Sequence, residues 1–215
     1  MAPTLDEEEQ LWARGCIPVA GLDEVGRGSW AGPIVAAAVV LPVERLLAAP
    51  AVLGGVDDSK RLTPRQRDEA ANCIEEVALG IGIGVVSPAL VDALGVVGAT
   101  RLAMRQAVGR LPLAPRFLLV DGRLRLDVSV PRRSFVRGDA RCLSIAAASV
   151  VAKVYRDRLM VGWSERYPVY AFERNKGYGT VEHFQALLRW GSCPLHRRSF
   201  APLRLFLATG TWPLR

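Results

Sequence analysis

Cysteine, histidine and aromatic residues are scarce in this sequence, and each shortage excludes a class of protein. Four cysteines (Cys16, Cys73, Cys142 and Cys193) lie far apart in 215 residues, with no C-x-x-C pair and no histidine pair beside them. A zinc site is therefore not expected, and reduced, buried thiols suit an intracellular chain. The two histidines, His183 and His196, both fall in the C-terminal part, which leaves a Ser-His-Asp site without a signature. Aromatics make up 7% of the chain, too few for single-strand stacking to be its main device. No run of apolar residues is long enough to span a bilayer; the longest, about 31–43, is interrupted by Pro33 and Pro42. The first ten residues carry Asp6, Glu7, Glu8 and Glu9, the opposite of a signal peptide's basic start. A soluble, cytoplasmic protein with no membrane association is expected.

What is present is ordinary globular material: half of the residues are apolar and 23% are charged. A chain of this length is most simply one domain with a real core. Its 28 basic residues outnumber 21 acidic ones, and a net charge of +7 favours a polyanionic partner.

The hydrophobic pattern predicts a short amphipathic helix over 5–14. Two strands follow, roughly 19–23 and 33–41, joined by a glycine-rich turn too short for a parallel crossover, so they should pair antiparallel. Thr63-Pro64-x-Gln66 reads as a helix N-cap with a capping-box partner, opening a helix to about Ala78. Ile81, Ile83 and Val85 alternate with Gly82, Gly84 and Val86 as a third strand. Ser87-Pro88 opens another helical turn that Gly95 should stop, and 100–111 is helical by pattern. Phe117–Val120 and Ser134–Val136 read as brief strands, 142–166 as the longest helix and 181–190 as a final one. The architecture implied is α/β: a mixed five-stranded sheet of three antiparallel strands and two parallel to the first, with helices on both faces.

Three acids share one kind of position. Asp23 comes near the end of the first strand, Asp121 directly after a four-residue apolar strand, and Asp139 after another strand and a glycine. Any one of them alone reads as a turn or helix-cap residue; the coincidence of three changes that. Ligands in open α/β sheets gather outside the carboxyl ends of the strands, and three neighbouring parallel strands would bring these acids together, with Glu24 beside them. Alternation along a regular strand puts Asp23 and Glu24 on opposite faces, so either the strand breaks at Glu24 or only Asp23 faces the site directly. Crowded carboxylates raise each other's pKa, and hard divalent cations with oxygen ligands relieve this. Two such ions could clamp a phosphodiester for attack by water. A glycosidase carboxylate pair fits the charge and aromatic content poorly. Gly26-x-Gly28 is not a dinucleotide fingerprint, because a strand rather than a helix follows it.

These stretches resemble a known family. Gly21-Leu22-Asp23-Glu24-Val25-Gly26-Arg27-Gly28, with Ala31-Gly32-Pro33, is similar to the signature of bacterial type 2 ribonuclease H, ribonuclease HII. The resemblance continues through Asp58-Ser59-Lys60-Arg61-Leu62-Thr63, Val120-Asp121-Gly122, Gly138-Asp139 and Ile145-Ala146-Ala147-Ala148-Ser149. It resumes at Ala152-Lys153-Val154 with Arg156-Asp157, at Asn175-Lys176-Gly177-Tyr178-Gly179-Thr180 and at His196-Arg197-x-Ser199-Phe200. It implies a ribonuclease H-like fold in one catalytic domain over 1–215, with a core of about 17–166. A small C-terminal helical and loop region, about 167–215, would contribute to substrate binding. The implied activity is endonucleolytic cleavage of the RNA strand of RNA–DNA hybrids, and 5′ of a ribonucleotide embedded in duplex DNA, leaving 3′-hydroxyl and 5′-phosphate ends. The implied cofactor is Mg²⁺ or Mn²⁺, two ions in the reacting complex. Asp23, Glu24, Asp121 and Asp139 would be the catalytic, metal-binding acids. Gly26, Arg27, Gly28 and Tyr178 would recognise the ribonucleotide and its junction with DNA, and Ser59 and Lys60 would lie along the bound backbone. Lys176, in a motif loop, is a further candidate for a positioned phosphate contact. No obligatory protein partner is evident, and a monomer is expected.

Departures from the family pattern are small: Arg137 stands where lysine is usual, Ser29-Trp30 fills a variable pair unusually, and the tail after Phe200 is brief. Two other readings compete: a non-catalytic nucleic-acid-binding module, and another nuclease of the same broad fold such as a junction resolvase. A binder of polyanions gains nothing from four clustered carboxylates, which disfavours the first. Lys153 and Asp157 are expected to form an i,i+4 ion pair. Arg156, near the middle of the long helix, reads equally as a solvated residue with a packed stem. His196-Arg197 reads as structural rather than phosphate-binding.

Overall fold

A computed structural model describes residues 2–210 of the chain; the expectations for the tail at 211–215 lie outside the described residues. After helix α1 (Asp6–Ala13), strands β1 (Val19–Val25) and β2 (Ile34–Val40) form the antiparallel pair the short turn demands. Helices α2 (Val43–Ala48) and α3 (Pro64–Val77) lead to β3 (Gly80–Val86), antiparallel to β2. Helix α4 (Pro88–Gly109) precedes β4 (Phe117–Asp121) and the edge strand β5 (Arg132–Phe135), both parallel in sequence to β1. The strand order is β3-β2-β1-β4-β5, the mixed five-stranded sheet expected. The long helix α5 (Leu143–Arg166) follows, then short α6 (Phe172–Asn175), α7 (Val181–Trp190) and α8 (Ala201–Thr209).

The interior strand β2, Ile-Val-Ala-Ala-Ala-Val-Val, is buried along its whole length because it is covered on both faces. On one face α1, α3 and α5 pack around Val35, Ala37 and Val39; on the other α4 packs on Ile34, Ala36 and Ala38. The small alanines and the glycines of β3 let helices approach closely: a Cβ on Gly84 would run into the Ala103 carbonyl of α4. A third cluster, with Ala31, Met160, Tyr170, Phe172, Leu187 and Leu203, joins the C-terminal segment to the end of α5.

The capping box at Thr63 is present: its side chain accepts from the Gln66 amide, and Gln66 Oε1 accepts from the Thr63 amide at 3.0 Å. Gly95 departs from helical geometry (φ 68°, ψ 165°) and breaks α4 at a kink into two helical stretches, as the sequence suggests. Two boundaries differ from expectation. The first strand runs on through Glu24 to Val25, held by pairing with β2 as far as Val35. The fifth strand begins at Arg132 instead of Ser134, because a sheet edge tolerates and even favours charge where an apolar pattern would end. Helices α2, α6 and α8 are too short or too irregular in hydrophobic spacing to be legible beforehand.

Candidate active site

Parallel pairing of β1 with β4 sets Leu22 opposite Val120, so the next residues, Asp23 and Asp121, stand side by side on adjacent strands. Gly21 and Leu119 face α5, and alternation puts both aspartates on that same face. Because β1 continues unbroken, alternation sets Glu24 on the other face of the strand, yet at the strand's end its charge still acts on Asp23 and it feels that of Asp121. Asp139 comes from the next strand over, in the 3₁₀ turn Gly138–Ala140 between β5 and α5. That turn is tied to the sheet by Asp121, whose Oδ1 accepts from the Gly138 amide at 2.6 Å. The four acids therefore gather at one end of the sheet, three from successive parallel strands.

Their electrostatics follow from burial and from one another. Asp23, 5% exposed, is held well above the usual carboxylate range, first by desolvation and then by the charges of Glu24 and Asp121. Glu24 is raised by desolvation and by Asp121, against the pull of Arg27, whose Nη1 donates to Glu24 Oε1 at 3.0 Å. Asp139 is raised by desolvation, Asp58 and Asp121, and lowered by Lys60. The exposed Lys60 reaches over the cluster, its Nζ 3.8 Å from Asp139 Oδ2. Although desolvation opposes it, the surrounding acids, Asp139 foremost, raise the Lys60 ammonium above its ordinary range.

Hard carboxylate oxygens crowded to the point of mutual repulsion suit Mg²⁺ or Mn²⁺. Among the described residues no three acidic, histidine or cysteine side chains close on a common centre as a ready-made cage. That is compatible with Mg²⁺, which keeps several waters and takes one or two carboxylates plus phosphate oxygens.

The predicted recognition residues divide into two groups. Gly26, Arg27 and Gly28 form the turn after β1, beside the acids, and Tyr178 lies in the loop between α6 and α7. These two elements are joined by Arg156 of α5. Its guanidinium donates to the Pro33 carbonyl (2.9 Å), the Ala31 carbonyl (3.0 Å), the Ser29 hydroxyl (2.8 Å) and the Lys176 carbonyl (2.9 Å). It also lies 5.4 Å from the centre of the Tyr178 ring. A Cβ on Gly26 (φ 89°) would strike this guanidinium. Arg156 is fully buried, which corrects the reading of it as a solvated helix residue. Four acceptors from two chain segments, 29–33 and Lys176, make its burial tolerable.

Arg197 is equally buried and structural, donating to the Gly32 carbonyl at 2.9 Å and the Arg27 carbonyl at 3.2 Å. Lys176 is partly buried and turned onto the Glu173 carbonyl. The Ser59 side chain turns inward: it is buried with its hydroxyl 3.0 Å from that of Ser149, and Ser149 in turn hydrogen-bonds Asp23, so the hydroxyl supports an acid from beneath. The expected Lys153–Asp157 pair is present at 2.7 Å.

Comparison with known proteins decides the family. The model of the ribonuclease HII family matches residues 20–203. A ribonuclease HII of Chloroflexus aggregans is 51% identical over 204 residues, 94% of this chain and 95% of that one. The chain belongs to the ribonuclease HII family. It is accordingly an endoribonuclease of the type 2 ribonuclease H class. Among solved structures, the ribonuclease H2 of Pyrococcus horikoshii superposes with a TM-score of 0.74 at 24% identity, over 87% of this chain and 96% of that one. Bst-RNase HIII, solved in complex with Mn²⁺, superposes with a TM-score of 0.65 at 20% identity, over 90% and 70% of the two chains. These last two likenesses speak for the ribonuclease H-like fold.

Within this family member, the sequence singles out the acids, the Gly26–Gly28 turn and the Tyr178 loop but not the way Arg156 joins the last two. The signal for Arg156 was its place on the face of α5 that begins with Ile145, Ala148 and Ser149, all buried; an arginine on a buried small-residue face needs internal acceptors.

Proposed function

We propose that this ribonuclease HII family member cleaves the RNA strand of RNA–DNA hybrids and cuts 5′ of a ribonucleotide embedded in duplex DNA, leaving 3′-hydroxyl and 5′-phosphate ends. The observation that carries the reading is the register of β1 on β4, which seats Asp23 beside Asp121 at the same end of the sheet as the Gly26–Gly28 turn. Asp23, Glu24, Asp121 and Asp139 hold divalent cations, Mg²⁺ or Mn²⁺, two in the reacting complex. Bound there, such ions supply charge neutralisation at the scissile phosphate and lower the pKa of an attacking water.

The chain's own groups do the rest. Lys60, exposed and poised over Asp139, and Lys176 meet backbone phosphates. The side-chain-free backbone at Gly26 and Gly28 approaches the sugar, where a 2′-hydroxyl can both donate and accept. The Tyr178 ring packs on the sugar beyond the junction, where a second 2′-hydroxyl would crowd it, so deoxyribose is favoured on the 3′ side. One domain carries all of this, with residues from about 167 onward contributing Lys176 and Tyr178 to substrate binding. No helix among the described residues is long and apolar enough to cross a membrane, and we place the enzyme in the cytoplasm.

The test is incubation with Mg²⁺ and a DNA duplex containing one ribonucleotide, beside the all-DNA duplex. A single cut 5′ of the ribonucleotide is expected. Cleavage of the all-DNA duplex, or none of either, would overturn the reading.

A further inference from the structure

The chain's two histidines carry no role in the chemistry above, yet both are buried and in contact. His183 of α7 and His196 of the segment after it are 0% and 3% exposed, and their Nε2 atoms lie 2.9 Å apart. Two neutral imidazoles at that distance share one proton, and its direction is fixed by the backbone groups at the two ends. The Cys193 amide, which can only donate, reaches His196 Nδ1 at 3.0 Å. That leaves the His196 proton on Nε2, from which it donates to His183 Nε2. The His183 proton must then sit on Nδ1, which lies 2.9 Å from the Tyr178 carbonyl, a group that can only accept. The Cys193 carbonyl is farther from His196 Nδ1, at 3.3 Å, and a proton placed there would oppose the Cys193 amide.

We propose that His183 and His196 form a one-directional positioning relay that seats the Tyr178 loop against the backbone behind the Gly26–Gly28 turn, and so sets the selectivity for an RNA–DNA junction. The inference rests on the reading of Tyr178 given above.

The relay's two ends touch the Tyr178 loop and the segment that follows the Gly26–Gly28 turn. His196 forms a bridge with Ala31, while Leu195 accepts from the Gly32 amide at 2.9 Å and Arg197 donates from its amide to the Trp30 carbonyl at 2.8 Å. At the other end the Tyr178 carbonyl accepts from both the Thr180 amide and His183, and Thr180 Oγ1 caps the His183 amide at 3.2 Å. The pair is enclosed by rings: Trp30 lies 5.7 Å and Phe172 5.5 Å from the His183 centroid, and Tyr170 4.8 Å from that of His196. Burial lowers the pKa of both imidazoles; for His196, burial and then His183 bring it to about 3. The shift of neither has a carboxylate among its causes. A second proton on His183 would have to sit on Nε2, which accepts from His196, and one on His196 Nδ1 would oppose the Cys193 amide, so the geometry also keeps the relay in its single direction.

Two measurements on the full chain test this. Long-range ¹⁵N correlation spectra of the wild type should find the proton of His183 on Nδ1 and that of His196 on Nε2, unchanged from about pH 5.5 to 8. The reverse tautomers, or a second proton gained in that interval, would overturn the relay. Separately, cleavage of a single-ribonucleotide duplex is compared with that of a continuous RNA–DNA hybrid. His183→Leu, which has no donor, should lower the ratio of the two rates about ten-fold, the rate equivalent of one hydrogen bond. His183→Asn, which offers a donor at the place of Nδ1, should recover most of it. Equal losses on both substrates would overturn the positioning role. If His183→Leu does not fold, His183→Gln takes its place: its amide falls at Nε2, so it must lose the ratio that His183→Asn keeps. Tyr178→Ala separates the two layers. If it leaves the ratio unchanged, the reading of Tyr178 falls and the relay's part in selectivity falls with it. If it changes the ratio and His183→Leu does not, the relay alone is overturned.

Discussion

Replacing Asp121 by asparagine separates the two things this carboxylate does. Its Oδ1 holds the Gly138 amide and hence the turn that carries Asp139. Asparagine keeps that oxygen, so the fold and the position of Asp139 should survive. What is lost is a negative charge standing beside Asp23 across a parallel ladder, where strands lie about 4.8 Å apart. At roughly 5 Å and an effective dielectric near 20, two full charges repel by about 3 kcal/mol. The actual gain must be smaller, because desolvation already shifts Asp23, Glu24 and Asp139 toward their neutral forms, while Arg27 beside Glu24 and Lys60 beside Asp139 offset part of the charge. About 1 kcal/mol of stabilisation in metal-free buffer at neutral pH is a fair expectation. The sign with pH follows from the direction of the shifts. Carboxylates whose folded pKa lies above the unfolded value favour folding at low pH, and that contribution is lost as pH rises through the folded pKa. The variant's advantage should therefore be largest at neutral pH and vanish below about pH 4, where the acids are protonated in both states. Thermal unfolding with EDTA at several pH values reads this, and cleavage with Mg²⁺ should fall at least a hundred-fold, roughly 3 kcal/mol of barrier. Near wild-type cleavage would remove Asp121 from the ligand set. A metal-free variant less stable than wild type at neutral pH would refute the repulsion argument.

Three further outcomes are expected. Tyr178→Ala should slow cleavage of a single embedded ribonucleotide by roughly ten- to a hundred-fold, with a smaller effect on a continuous hybrid and on melting temperature; equal losses on both substrates would make Tyr178 a structural residue. Gly21→Ala should destabilise by about 3 kcal/mol or more in chemical denaturation, because its Cβ would enter the Ser144–Ile145 backbone of α5, and a loss below about 1 kcal/mol would show that helix and sheet can part freely. Glu8, buried in α1, accepts from the Ser144 amide at 2.8 Å and the Ser144 hydroxyl at 2.6 Å, and burial raises its pKa. Glu8→Ala should cost about 2 kcal/mol by orphaning both donors, whereas Glu8→Gln, which keeps an acceptor, should stay within about 1 kcal/mol of wild type at pH 7; equal costs would mean that the charge itself is required.

Much of this molecule was legible without coordinates, because the features that mattered have short-range causes. A capping box is a matter of four consecutive residues, and Thr63 to Gln66 behaves as written. Alternation and turn length specify β1, β2 and β3 and their antiparallel pairing, and a strand that ends in an acid marks Asp121 whatever surrounds it. The motifs then identified the family by themselves. Long-range contacts were decided only by the tertiary structure. Whether Asp23 or Glu24 faces α5 depended on how far β2 prolongs β1, and Ser59 turned inward because Ser149, 90 residues away, offers its hydroxyl a partner. Arg156 and Arg197 look like surface cations in a basic chain until carbonyls from residues 27 to 33 converge on them, joined by that of Lys176 on Arg156. A buried charge is defined by the acceptors around it, and all but the Lys176 carbonyl come from a segment more than a hundred residues distant, so no local pattern could announce them. The same holds for His183 and His196: thirteen residues apart, they share a proton only because folding sets α7 against the segment that returns beneath the Gly26–Gly28 turn.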